Sequence, residues 1–122
     1  MNLGEVKVLI CDDSILSRKK MKDFLMAAGC KEVLEAADGE MAVEIYKANK
    51  PEVVFMDIVM PKKDGIGAVK DIMAFDESAK IIMASSVGTQ ALLKDALKAG
   101  AMDFLQKPIS NDSLLEIINK IA

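Results

Sequence analysis

Histidine and tryptophan are absent from this chain of 122 residues, tyrosine occurs once, cysteine twice and proline three times. Cys11 lies inside an apolar run and Cys30 follows a predicted helix end. The pair therefore offers neither metal-ligand spacing nor a disulfide framework and reads as two reduced, structural thiols. Basic charge is also scarce: 16 Lys and Arg face 19 Asp and Glu, a net charge of -3, which argues against direct binding to a nucleic-acid backbone. The opening residues MNLGEVKV lack the basic stretch and apolar run of a secretory signal. No later apolar run reaches the roughly 18 residues of a membrane span. The expected setting is the cytoplasm, away from membranes. Nor is there a Ser/Gly linker, a low-complexity tract or any repeat beyond an alternation of short apolar runs with helical segments.

What the chain does contain is apolar residues, 52% of the sequence, enough for one core, and a single domain over residues 1–122 is expected. Five short runs read as strands: VKVLIC (6–11), EVLEA (32–36), EVVFMD (52–57), KIIMAS (80–85) and MDFLQK (102–107). Between and after them, apolar residues recur at helical spacing. These are Met21, Phe24, Leu25 and Ala28, then Ile66, Val69, Ile72 and Met73, and finally Leu114, Leu115, Ile118 and Ile121. Strands one, three and four are almost continuously apolar, as strands covered on both faces are, so the sheet is expected to be parallel. Asp38-Gly39 opens the second helix, Asn49-Lys50-Pro51 stops it, Gly29 and Gly100 end the first and fourth, and Ser110 or Asn111 caps the fifth. Five βα units with right-handed crossovers predict an α/β fold with an open, doubly wound parallel sheet; an eight-unit barrel needs about twice the chain.

In such sheets the site lies beyond the carboxyl ends of the strands, where strand order reverses. The polar residues fall there: Asp12-Asp13 after strand one, Asp57 at the end of strand three, Ser85-Ser86 at strand four and Lys107-Pro108 at strand five. If those four strands are neighbours in the sheet, the residues converge on one patch, and only strand two contributes nothing. Singly these residues have ordinary explanations: Asp12 or Asp13 as a helix cap, Ser85 as a satisfied strand-end hydroxyl, Lys107 as a loop charge. Together, three carboxylates repel one another, and one ammonium leaves about two negative charges uncompensated. A divalent cation restores the balance. Hard carboxylate oxygens, without histidine or a placed thiolate, select Mg2+, or Mn2+ in its place, over Zn2+. Mg2+ is commonly shared between carboxylates and a phosphate, which makes this a phosphoryl site in which Asp57 is a nucleophile able to form an aspartyl-phosphate.

Met60-Pro61 and Gly65 follow Asp57, and Phe104 stands three residues before Lys107-Pro108. With these residues the chain resembles, over essentially its whole length, the receiver domains of bacterial two-component response regulators, in particular the single-domain chemotaxis type. The resemblance implies the strand order 2-1-3-4-5 and a flavodoxin-like three-layer sandwich. It implies that Asp57 accepts a phosphoryl group from a sensor histidine kinase or a histidine phosphotransfer protein. Asp13, Asp57 and the Val59 carbonyl would ligate Mg2+, with Asp12 acting largely through water, and Ser85 and Lys107 would grip the phosphoryl oxygens. Ser85 and Phe104 hold the switch positions that repack the face of helix four, strand five and helix five for a downstream target protein. The Lys107-Pro108 bond is expected to be cis. By this resemblance the protein is a monomeric phosphoacceptor module rather than an enzyme with turnover, with no output domain attached.

Several positions depart from the family pattern. Ser86 stands where a small residue, most often Ala, is usual, and Phe104 cannot donate the hydrogen bond of a tyrosine. Val59 and Val87, two residues beyond the acid and the hydroxyl, are both aliphatic, which predicts slow hydrolysis of the phosphorylated form because neither can orient a water. Arg18, Lys19, Lys20 and Lys22 form a basic cluster on helix one, read as a solvated face within the surface on which phosphodonors of the family dock. A phosphatase of the haloacid-dehalogenase type would need a second Asp where Val59 stands. A flavin carrier would need a phosphate-cradling first loop in place of Cys11-Asp12-Asp13-Ser14 and aromatic groups near the ring, where this chain offers only Tyr46 within helix two.

Overall fold

A computed structural model describes residues 3–86 and 90–121. After a 3-10 turn at Leu3–Glu5, strands and helices alternate. They run β1 (Lys7–Cys11), α1 (Ile15–Ala27), β2 (Glu32–Ala36), α2 (Gly39–Asn49), β3 (Val53–Asp57), α3 (Gly65–Phe75), β4 (Ile81–Ser85), α4 (Gln90–Ala99), β5 (Asp103–Gln106) and α5 (Asn111–Ile121). The strands pair in parallel in the order β2-β1-β3-β4-β5, the doubly wound α/β arrangement expected from the sequence. β2 matches its expected run, and the other four are shorter by Val6, Glu52, Lys80, or Met102 and Lys107. Each of these residues still makes one backbone bond to a neighbouring strand or its flank, for example Glu52 N–H to the Lys7 carbonyl at 2.9 Å. At a parallel strand end the slanted ladder is half made, and apolarity does not mark that point.

Alternation along the strands divides the core into two layers. Leu9 and Cys11 of β1 point into the layer that α2, α3 and α4 cover, whereas Val8 and Ile10 point into the layer covered by α1 and α5. β3 and β4, at the centre, are buried along their full length, which accounts for their unbroken apolar sequences. On α5 the buried residues are Leu114, Ile117 and Ile118, and Leu115 is only partly buried, so the inward stripe includes Ile117 in its place.

Side-chain caps start the helices where backbone N–H groups lack partners. Asp38 Oδ1 accepts from Met41 N–H at 2.8 Å, Asp64 Oδ1 from Gly67 N–H at 2.7 Å and Ser110 Oγ from Ser113 N–H at 3.1 Å. α1 is capped by Ser14, whose Oγ accepts from Ser17 N–H at 3.2 Å, and not by either aspartate before it. That leaves both aspartates to the strand edge. Helix ends are marked by Gly29, Lys50 and Gly100 with φ of 103°, 44° and 118°, and the Lys107-Pro108 bond is cis. The connection from β3 to α3 folds back tightly: Gly65 N–H donates to the Ile58 carbonyl at 2.7 Å. A Cβ at Gly65 would collide with the Asp57 carbonyl oxygen. No helix among the described residues is long and apolar enough to cross a membrane.

Candidate functional site

Register brings the polar residues together. Cys11 stands opposite Met56, Asp57 opposite Ala84 and Ser85 opposite Gln106. Asp12, Asp57, Ser85 and Lys107 therefore leave four adjacent strands side by side. Oxygens of Asp12, Asp13 and Asp57 lie within 4.8 Å of one another. Asp12, Asp57 and Ser85 are 5%, 9% and 1% exposed, whereas Asp13 faces solvent. The Lys107 ammonium donates to Asp12 Oδ2 at 2.5 Å and to Asp57 Oδ2 at 3.2 Å. Its backbone N–H donates to the Ser85 carbonyl at 2.9 Å, which ties the lysine to the end of β4.

The electrostatics follow from one ammonium shared by two of three acids. Burial pushes the Asp57 carboxyl above the ordinary carboxylate range; the charge and hydrogen bond of Lys107 pull it back, Asp12 adds to the push, and the Val59 N–H offsets part of it. Burial acts to lower Lys107, but the bonds and charges of Asp12 and Asp57 outweigh it and hold the ammonium above its usual value. The lysine stays charged, and the cluster remains short of positive charge.

Around this edge the remaining expected residues separate. The Val59 side chain is 63% exposed beside the mouth. Ser86 is exposed and lines a cleft of about 630 Å³ whose walls include Asp12, Lys20, Lys107 and Asn111. Phe104 lies within β5, partly buried and packed against the layer under α2, α3 and α4. Val87 lies outside the described residues.

Two residues at this edge go beyond the sequence expectation, which counts Arg18 only within the basic run of helix one and does not include Glu35. Arg18 Nη1 donates to the Asp12 carbonyl at 2.6 Å, and its Nε donates to Glu35 Oε1 at 3.1 Å. Glu35 belongs to β2, so the edge strand does reach the patch, through a guanidinium. Arg18 thus departs from the solvated face expected of the basic cluster, its side chain being only 14% exposed, whereas Lys19, paired with Asp23 at 3.2 Å, and Lys22, paired with Glu35 at 3.4 Å, keep to it. A signal existed in the spacing. Arg18 is three residues before Met21 and seven before Leu25, on the inward stripe of α1, where a charged residue needs a partner.

Comparison with known proteins places the chain in a family. Residues 8–119 match the response regulator receiver domain family. The chain is 46% identical to the chemotaxis protein CheY of Thermotoga maritima over 116 residues, covering 95% of this chain and 97% of that protein. It is 47% identical to CheY of Bacillus subtilis over 114 residues, covering 93% and 95%. A crystal structure of the CheX–CheY–BeF3–Mg2+ complex from Borrelia burgdorferi matches with a TM-score of 0.90 at 38% identity, covering 95% of this chain and 88% of that one. The chain belongs to the receiver domains of response regulators. It is a phosphorylation-dependent switch of two-component signalling, a signalling module and not a classical enzyme.

Proposed function

We propose that Asp57 is the phosphoacceptor, that Mg2+ is required, and that a histidine kinase or histidine phosphotransfer protein is the donor. The observation that carries this reading is the crowding of three carboxylates within 4.8 Å at the strand edge, with a single ammonium divided between two of them. The donor set suits a hard divalent ion: it is all oxygen, no histidine is present in the chain, and Cys11 is buried beneath it. Asp13, Asp57 and the Val59 carbonyl would hold Mg2+, with Asp12 acting through water. Bound there, the ion would offset the charge of the carboxylates and of incoming phosphoryl oxygens. The Borrelia relative crystallised with BeF3, Mg2+ and CheX supports both the ion and a protein partner.

The chain's own residues do the rest. An Asp57 oxygen attacks phosphorus, the bond from phosphorus to the donor imidazole nitrogen breaks, and its electron pair returns to the imidazole. Lys107, already bonded to Asp57, pairs with the transferred oxygens, and the Ser85 hydroxyl at the end of the adjacent strand donates to one of them. The new group carries about two negative charges. Its differential contacts with Ser85 and Lys107 bias a two-state element, through Phe104, toward one arrangement of α4, β5 and α5. α4 carries the exposed Leu97, which supports a protein target for that face. Incubation with acetyl phosphate and Mg2+, followed by peptide mass spectrometry, tests the chemistry. One phosphoryl adduct is expected on Asp57, lost with a chelator and absent in Asp57→Asn. An adduct on another residue, or one indifferent to Mg2+, overturns the reading.

A further inference from the structure

Asp12 is held by every hydrogen-bonding group it has. Its N–H donates to the Ala36 carbonyl at 3.0 Å and its Oδ1 accepts from Ser14 N–H at 2.8 Å. Its Oδ2 accepts from Lys107 at 2.5 Å and its carbonyl accepts from Arg18 Nη1 at 2.6 Å. The last of these bonds differs from the others in what it controls. The Asp12 carbonyl belongs to the planar peptide unit that joins Asp12 to Asp13, so fixing that oxygen fixes the plane and with it the N–Cα axis of Asp13, leaving φ as the one backbone rotation that still turns its side chain. Asp13 is exposed and has no hydrogen bond or ion pair of its own among the described residues. Its aim therefore depends on the peptide unit before it.

We propose that Arg18 is a positioning residue for the phosphoryl site: it clamps the Asp12 carbonyl to Glu35 of β2 and so aims the Asp13 carboxylate. The proposal rests on the reading that Asp13 is a metal ligand. Arg18 is suited to this because its side chain is only 14% exposed and a guanidinium presents its donors in one rigid plane. The bond to Glu35 Oε1 fixes the plane in which Nη1 meets the carbonyl. Lys22, on the other Glu35 oxygen, keeps the acid in place. A lysine at position 18 has no such fork and cannot bridge the two acceptors in a fixed geometry.

The test measures Mg2+ binding by titration calorimetry, and amide exchange in metal-free protein, for wild type, Arg18→Ala, Arg18→Lys and Glu35→Gln. Loss of a residue that orients a metal ligand typically weakens binding about 10–100-fold. Arg18→Ala and Arg18→Lys are expected to weaken Mg2+ by about tenfold or more, and Glu35→Gln by less. Exchange at the Ser14 amide, which reads the Asp12 carboxylate, is expected to speed up in the Arg18 variants while core amides of β3 keep their protection. If the Ala variant does not fold, Lys and Gln carry the test. Unchanged Mg2+ affinity in the variants, or a uniform loss of protection across the sheet, would overturn the proposal and leave Arg18 a purely structural residue. Absence of Mg2+ binding in the wild type would instead overturn the underlying reading of the site.

Discussion

Asp57 is a carboxylate kept where its charge is costly. Burial raises its pKa in the folded protein despite the ammonium beside it, so the fold favours the protonated form more than the unfolded chain does. A folded pKa above the unfolded one means that stability from this group is greatest at low pH and falls as pH rises through the folded value. Asp57→Asn removes the charge and keeps the shape. In metal-free protein at pH 7 the variant is expected to be more stable than wild type by about 1 kcal/mol. The difference should shrink away below roughly pH 4, where the wild-type carboxyl is protonated in both states. Urea midpoints at the two pH values check this, and an equal difference at both would contradict it. The placement of this residue beside Asp12 and Asp13 was legible from the sequence because all three acids fall at the carboxyl ends of apolar strands. The part played by Arg18 was not legible as long as it was counted with three lysines as one run of charge. Its inward position on α1 decides its partners, and charge counts ignore direction.

Among the elements, the passage from β3 into α3 bears directly on the site. Asp64 caps the helix and Gly65 lets its first turn approach the Asp57 carbonyl. The two residues are adjacent but act through different physics, so their substitutions should differ. Asp64→Ala removes one cap bond and is expected to cost about 1 kcal/mol, with Asp57 still phosphorylated by acetyl phosphate. Gly65→Ala forces backbone apart at the carboxylate and is expected to cost about 1–3 kcal/mol and to lower the phosphorylation rate as well. If the alanine at position 65 lowers stability but leaves the rate intact, the close approach has no bearing on the site. Strand order came from the family resemblance, whereas strand existence was readable because β1, β3 and β4 carry the apolar runs that two covered faces demand. Their exact ends were not, since Val6 and Lys80 accept backbone bonds from neighbouring segments but lie outside the completed ladder. The α5 stripe shows the same limit: Leu115 and Ile117 are both apolar, and only packing selects Ile117 for the core.

At the scale of the molecule, the two core layers hold four strand ends in register, and charge at one edge becomes a linked property of the whole fold. An ion that binds only the folded form stabilises it by mass action, by about 2.7 kcal/mol when its concentration is 100 times its dissociation constant. Mg2+ is therefore expected to raise the unfolding midpoint of the wild type by that order and to do little for Asp13→Asn. A similar rise in both proteins would remove Asp13 from the ligand set. Convergence of four strand ends was predictable from the general rule for doubly wound sheets, because the rule depends on topology alone. Participation of the edge strand β2 was not, because it runs through a side chain of α1 that reaches both Glu35 and Asp12.

The two thiols lie on opposite sides of the sheet, Cys11 beneath α2 and α3 and Cys30 beneath α1, and burial holds both above the usual thiol range. Air oxidation has no path to join them while the sheet is intact, and neither sulfur is a ready nucleophile. Each is a silent reporter sealed in its own compartment. A coloured thiol reagent added to the native protein would time the breathing of one compartment against the other.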